Sequence, residues 1–345
     1  MSNGATVTWA VGGAATAAFS AFVCVMLIVI LRPALRRYAL AKPTARSSHH
    51  EPTPQGGGIA VVIATLAAAC LGMCSLGIAI AGPFAAVIGA AVLMACVGAA
   101  DDIRPLAVTP RLILQALAVA AAIYALPDQL RVVPALPWLI ERVLLFVGGL
   151  WFVNLVNFMD GIDWMTVAEI VPITVALAAI GWLGKLAPDA VVVALALGGA
   201  MLGFAYFNRP AAKLFLGDVG SLPIGLLLGW LLVLLAGRDA LAAAVLLPLY
   251  YLADATLTLI RRLLAGQRVW QAHRTHFYQL ATERGFSVTE IVTRVFAVNL
   301  VLAALALATI AADGPVIKIA ALVCGAAMVS WLLWAFARGQ RRQRP

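Results

Sequence analysis

Residues 82–102 read GPFAAVIGAAVLMACVGAADD, an apolar run that ends on two adjacent aspartates. A helix needs about 20 apolar residues to cross a hydrocarbon core of roughly 30 Å, so this stretch spans a bilayer and leaves Asp101 and Asp102 at its end. The pattern recurs. NLVNFMDGID at 154–163 places Asp160 and Asp163 after an apolar run, and FLGDVGS at 215–221 places Asp218 before one. Carboxylates beside hydrocarbon are costly unless they pair, which makes all five functional candidates.

The rest of the chain fits the same reading. Apolar residues are 63% of the 345 and charged residues 11%, with mean hydropathy +1.00, whereas soluble domains carry about a quarter charged residues. Eleven apolar runs are counted, at 8–31, 57–76, 82–100, 107–126, 137–158, 164–184, 190–208, 221–237, 240–260, 289–312 and 316–337. The expected fold is therefore an all-α polytopic membrane bundle of about eleven helices, a single domain over 1–345. Residues 8–31 are too long for the core of a cleaved leader and are read as retained.

Orientation follows from Lys and Arg, which accumulate in cytoplasmic loops. With the N-terminus outside, 19 of the 24 basic residues fall inside; Arg131, Arg142, Lys185, Arg238 and Lys318 stay outside. The tail RGQRRQRP then lies in the cytoplasm against anionic headgroups. That bias accounts for most of the net charge of +9, and no nucleic-acid module is present. Cys24, Cys70, Cys74, Cys96 and Cys324 all fall within apolar runs and read as small core residues.

This topology gathers the polar motifs on the cytoplasmic side. Asp101 and Asp102 point about 100° apart on a helix, which suits separate tasks better than joint chelation; the bland alternative pairs them with Arg104. Asn154, Asn157 and Asp160 step along one face, and their oxygens suit Mg²⁺, a hard ion that shares its shell with substrate phosphates; asparagine-mediated helix packing is the alternative. Gly217 and Gly220 flank Asp218, and Ser221 is placed to cap the following helix, an arrangement open to an anion or to a simple turn. His273, Arg274 and His276 stand in the longest hydrophilic loop, where they suit phosphate contacts or hydrogen bonding. Asp254 reads as half of a buried ion pair with Arg261, holding a helix end.

Taken in order, PTPQGGG, ADDIRPL, NLVNFMDGID, FLGDVGS, PLYYLADATLTLIRR and HRTH resemble the polyprenyl-phosphate N-acetylhexosamine-1-phosphate transferases, the WecA and MraY group, over residues 50–285. The resemblance implies a multi-pass enzyme of the bacterial inner membrane with a cytoplasmic site. It implies Mg²⁺, or Mn²⁺ in its place, as cofactor. It further implies transfer of a sugar-1-phosphate from a UDP-N-acetylhexosamine to undecaprenyl phosphate, with UMP released. By the same resemblance Asp101 and Asp102 are the paired aspartates, one acting on the lipid phosphate. Asp218 is a metal ligand with Asn157 beside it, and Asp160 and Asp163 serve nucleotide and sugar. His276 opens the histidine cluster. Asn154, Gly217, Ser221, His273 and Arg274 complete the substrate-binding set, and a homodimer is among the partners considered. The chain departs from the pattern at Trp164 and at Phe277, Tyr278 and Gln279. The WQAHRTHFYQ stretch is more similar to the O-antigen-initiating branch that uses 6-deoxy donors such as UDP-FucNAc or UDP-QuiNAc, with Phe277 or Tyr278 expected near the donor methyl. A transporter or lipid flippase is the competing class, but it would carry its polar residues near the bilayer midplane.

Overall fold

The computed structural model describes residues 3–38, 40–41, 53–80, 82–268, 273–312 and 314–340. Lys42, Arg46, Pro52, Trp270, Asp313, Arg341, Arg342 and Arg344 lie outside the described residues.

Thirteen helices are described: α1 (Asn3–Tyr38), α2 (Gly57–Ser75), α3 (Gly82–Ile103), α4 (Val108–Tyr124), α5 (Trp138–Met159), α6 (Met165–Trp182), α7 (Pro188–Ala205), α8 (Asp218–Leu235), α9 (Leu241–Leu246), α10 (Leu249–Leu264), α11 (Phe277–Glu283), α12 (Val288–Ala311) and α13 (Pro315–Arg338). The only described strand pair is β1 (Leu40–Ala41) with β2 (Thr53–Pro54). Among the described residues nine helical segments are long and apolar enough to cross a membrane. Large apolar side chains such as Phe22, Ile30, Leu139, Leu202 and Trp331 cover the outside of the bundle, as on a surface that faces hydrocarbon. The chain is an all-α, multi-pass membrane bundle.

Two of the eleven expected runs take another form. Run 107–126 becomes the 17-residue α4. Run 240–260 is cut at Leu247 and Pro248 into α9 and α10, because proline has no N–H for the preceding turn. The half beyond the break is two-faced: Tyr250, Tyr251, Asp254 and Thr258 are buried, while Leu257, Ile260, Leu263 and Leu264 are exposed. Of the cysteines only Cys24 is buried; Cys74, Cys96 and Cys324 are exposed on helix surfaces, so the core reading holds for Cys24 alone.

α8 is the axis, packed on α2, α3 and α5. Small residues allow that closeness. A side chain at Gly58 would collide with the Gly220 backbone, and one at Gly98 with the Asp218 carbonyl. In lipid, where apolar contact gives no net drive, such backbone-to-backbone fits hold helices together. The fit brings the end of α3 against the start of α8. Residues 54–58 also bond to the segment entering α8, through Phe215 N to Pro54 O at 2.8 Å and Gly58 N to Leu216 O at 2.8 Å. Three motifs distant in sequence thereby meet.

Candidate active site

Asp102 points into the N-terminus of α8. Its Oδ1 accepts from Asp218 N at 2.9 Å and from Gln55 Nε2 at 2.5 Å, and its Oδ2 accepts from Val219 N at 3.1 Å. A carboxylate there satisfies orphan helix donors and meets the positive end of the dipole. The preceding residue, Gly217, has φ +78, and a side chain on it would strike the Asp102 carboxylate; glycine adopts that backbone without strain.

Asp101 faces elsewhere, as the helix geometry requires. It accepts from Leu106 N at 2.6 Å and from Arg111 Nη1 at 2.9 Å, so its cationic partner is Arg111, not Arg104. Arg111 also lies 3.9 Å from Asp218, and the Asp101 and Asp218 carboxyls are within hydrogen-bond reach of each other. On the far side of Asp218, Asn157 Nδ2 donates to its Oδ1 at 2.7 Å and to Ser221 Oγ at 2.9 Å. Ser221 is therefore not a cap: the helix begins three residues earlier, and the buried hydroxyl orients Asn157.

Asp160 ends α5 and accepts from the Thr166 hydroxyl. Burial, reinforced by the charges of Asp218, Asp102 and Asp163, pushes its carboxyl up to about 8. Asp163 accepts from Ala212 N at 2.9 Å, pinning the DGID turn to the segment that leads into α8. Asn154 donates to Gln115 and to Leu150 O, which is the helix-packing alternative, though it also lines the groove described below.

The histidines form the other flank. Asp254 accepts from Phe277 N at 2.9 Å and Tyr278 N at 3.1 Å, and its Oδ1 lies 3.4 Å from His276 Nδ1. This overturns the expected pair with Arg261, whose guanidinium stacks on Phe277. A second carboxylate, like Asp102, thus closes a helix start. His276 stacks on His273 with centroids 4.9 Å apart. Burial first, then His276 and Arg262, push His273 down to about 4, so it is neutral at pH 7. Arg274 is close enough to act electrostatically on Tyr278.

Phe277 and Tyr278 are both buried. Tyr278 donates to Phe158 O at 3.0 Å and fits so tightly over Gly161 that any side chain there would collide with it. Tyr278 fastens α11 to the DGID turn, Phe277 lies under the Arg261 guanidinium, and Gln279 alone of the three lines the groove. Trp164 is likewise structural, its indole N–H donating to Ala205 O at 2.7 Å.

Between the two flanks runs a groove of about 610 Å³. One part is apolar, with Val108, Leu112, Val147, Leu150 and Trp151. The other is polar, with Arg111, Asn157, Asp218, His273 and His276. Sequence reading missed Arg111 as a member of the site; a lone cation in the first turn after the paired aspartates was the available signal.

Among the described residues no three His, Cys, Asp or Glu side chains gather to hold a metal ion by themselves. Mg²⁺ does not require that, since it keeps waters and is bound through one or two carboxylates plus substrate phosphates. Asp101 and Asp218, facing each other with Asn157 adjacent, fit such a half-shell.

The model of glycosyl transferase family 4 matches residues 84–236, which hold all five clustered aspartates. Over that stretch the chain is similar to glycosyl transferase family 4. It is 28% identical over 291 residues to a decaprenyl-phosphate N-acetylglucosaminephosphotransferase of Mycolicibacterium smegmatis, covering 74% of this chain and 71% of the relative. It is 31% identical over 233 residues to a phospho-N-acetylmuramoyl-pentapeptide-transferase of Rhodopseudomonas palustris, covering 58% of this chain and 62% of the relative. A Mycobacterium leprae decaprenyl-phosphate N-acetylglucosaminephosphotransferase is 26% identical over 318 residues, covering 81% and 79%. The family match stops at residue 236, short of Asp254 and the histidine flank.

Proposed function

We propose that the protein transfers an N-acetylhexosamine-1-phosphate from its UDP-linked donor to undecaprenyl phosphate, yielding undecaprenyl-diphospho-sugar and UMP. The groove carries this reading: an apolar trough opening on a cluster of anion- and cation-binding groups suits a lipid whose only polar part is a phosphate. An oxygen of the lipid phosphate forms a bond to the sugar-bearing phosphorus as the bond from that phosphorus to UMP breaks. No covalent chemistry is needed from the protein, so its work is alignment and charge neutralisation. Arg111, held by Asp101, offers its guanidinium to a phosphate in the groove. Neutral His273 offers a hydrogen bond rather than a charge. Asp218 and Asp101, with Asn157, would hold Mg²⁺, which when bound neutralises diphosphate charge. Asp160 and Asp163 border the donor end.

With Phe277 and Tyr278 turned inward, the donor proposed is a UDP-N-acetylhexosamine without restriction to 6-deoxy sugars. Purified protein supplied with undecaprenyl phosphate and a panel of UDP-sugars should release UMP with an N-acetylhexosamine donor. No release with any donor of the panel, in protein that remains folded, would sink the proposal.

The membrane proposed is the bacterial inner membrane, with the aspartate cluster in the cytoplasm and the N-terminus outside. In a variant lacking the five native cysteines, Gln267→Cys should resist an impermeant thiol reagent in intact cells and Gln129→Cys should react. Both side chains are exposed. The reverse pattern would invert the topology.

His273 also provides a pH test. Its folded value lies below its unfolded value near 6.5, so the unfolded state takes up a proton first as pH falls. The stability it contributes is present above about 6.5 and is lost on the way down to about 4. The unfolding midpoint of His273→Gln in detergent should therefore fall less steeply than that of wild type over this window. Parallel curves would mean that His273 does not titrate as its burial implies.

A further inference from the structure

Arg142 lies in the first turns of α5, 18 residues before Asp160, which at 1.5 Å per residue places it about 27 Å from the aspartate cluster, at the opposite end of the bundle. It is only 8% exposed. Its Nη2 donates to Pro127 O at 2.8 Å and Leu130 O at 3.4 Å, whereas Nε and Nη1 are buried without a partner. The adjacent Glu141 does not neutralise it, being taken by Arg131 and by the backbone N–H groups of Val132 and Val133. Among the described residues no carboxylate makes an ion pair with Arg142.

A buried guanidinium with two free donors and no counter-charge is unfavourable by itself. It lines a groove of about 650 Å³ whose walls include Tyr124, Leu139 and Val143. Those three are 91%, 66% and 52% exposed, so the groove opens sideways toward lipid. The Trp138 ring lies 5.3 Å from the guanidinium carbon. Tryptophan and tyrosine mark the headgroup level of a bilayer, which sets the depth of the cation.

We propose that this groove is a binding site for a phospholipid of the leaflet opposite the aspartate cluster, its phosphodiester on Arg142 and an acyl chain along Leu139 and Val143. The site supplies what each part of that lipid lacks: charge-assisted donors for the phosphate and an apolar trough for the chain. No residue of the proposed transfer reaction takes part, so the inference stands or falls apart from that reading.

The test is native mass spectrometry of the intact protein in detergent, titrated with phosphatidylglycerol and, in parallel, with undecaprenyl phosphate. Wild type should bind phosphatidylglycerol, and Arg142→Gln should bind it about tenfold or more weakly, the loss of one charge-assisted contact. Leu139→Trp, which blocks the trough from the exposed side without touching the guanidinium, should weaken it as well and guards against misfolding of the first variant. Unchanged phosphatidylglycerol affinity in both variants would overturn the proposal. So would displacement of phosphatidylglycerol from the groove by undecaprenyl phosphate, or a wild-type dimer that Arg142→Gln dissociates while lipid binding persists.

Discussion

Asp218→Ala should reduce UMP release by at least about 10²–10³-fold, the range seen when one preorganised electrostatic group is removed from a reacting centre. Asp218 faces Asp101, receives Asn157, lies near Arg111 and opens on the groove. Removing it takes away half of the proposed Mg²⁺ half-shell. The fold should tolerate the loss. The backbone N–H of residue 218 remains bonded to Asp102, Asn157 keeps its bond to Ser221, and Asp101 keeps its bonds to Leu106 N and Arg111 when the facing carboxyl is removed. The unfolding midpoint in detergent should stay within a few degrees of wild type while turnover collapses at every Mg²⁺ concentration. Asp218→Asn separates charge from shape and should be nearly as inactive. Wild-type turnover in either variant at limiting Mg²⁺ would remove Asp218 from the metal site.

The membrane helices could be read from the chain because hydrocarbon imposes a length, and runs such as 82–100 and 289–312 satisfy it. The exception at 240–260 was legible in principle, since Pro248 sits inside that run. The aspartates were legible as candidates because a charge beside lipid needs a reason. Their roles were less so. A capping bond from Asp102 to a helix start 116 residues later depends on how three helices cross, and the glycines that set the crossing look like any others in an apolar run. Asp254 shows the same gap: its neighbour in sequence suggested an ion pair, while its partners proved to be backbone N–H groups in α11. Phe277 and Tyr278 stand next to the histidines in sequence, but neither lines the groove, and a short helix turns Tyr278 under the DGID turn. Proximity along the chain cannot specify that rotation.

Asp102→Ala should fail for a different reason from Asp218→Ala, and the contrast separates scaffold from chemistry. The wild-type carboxylate accepts from two backbone N–H groups at the start of α8 and from Gln55. Alanine leaves those donors facing a gap that the tight Gly217 approach makes small, and each unsatisfied buried donor costs about 1–3 kcal/mol. A total of roughly 2–4 kcal/mol is expected, including the lost favourable interaction with the helix dipole. Because α8 also carries Asp218 and Ser221, slackening its first turn displaces both the proposed metal ligand and the hydroxyl that orients Asn157. Activity should therefore fall with stability, and the unfolding midpoint should drop by several degrees. Asp102→Asn should lie between, since its amide oxygen keeps one acceptor while its NH₂ meets a backbone donor. Asp101→Asn should behave otherwise, losing the Arg111 tether and turnover with little change in midpoint. An Asp102→Ala protein that unfolds at the wild-type temperature yet is inactive would show that the carboxylate acts on substrate, and that its bonds to α8 are incidental.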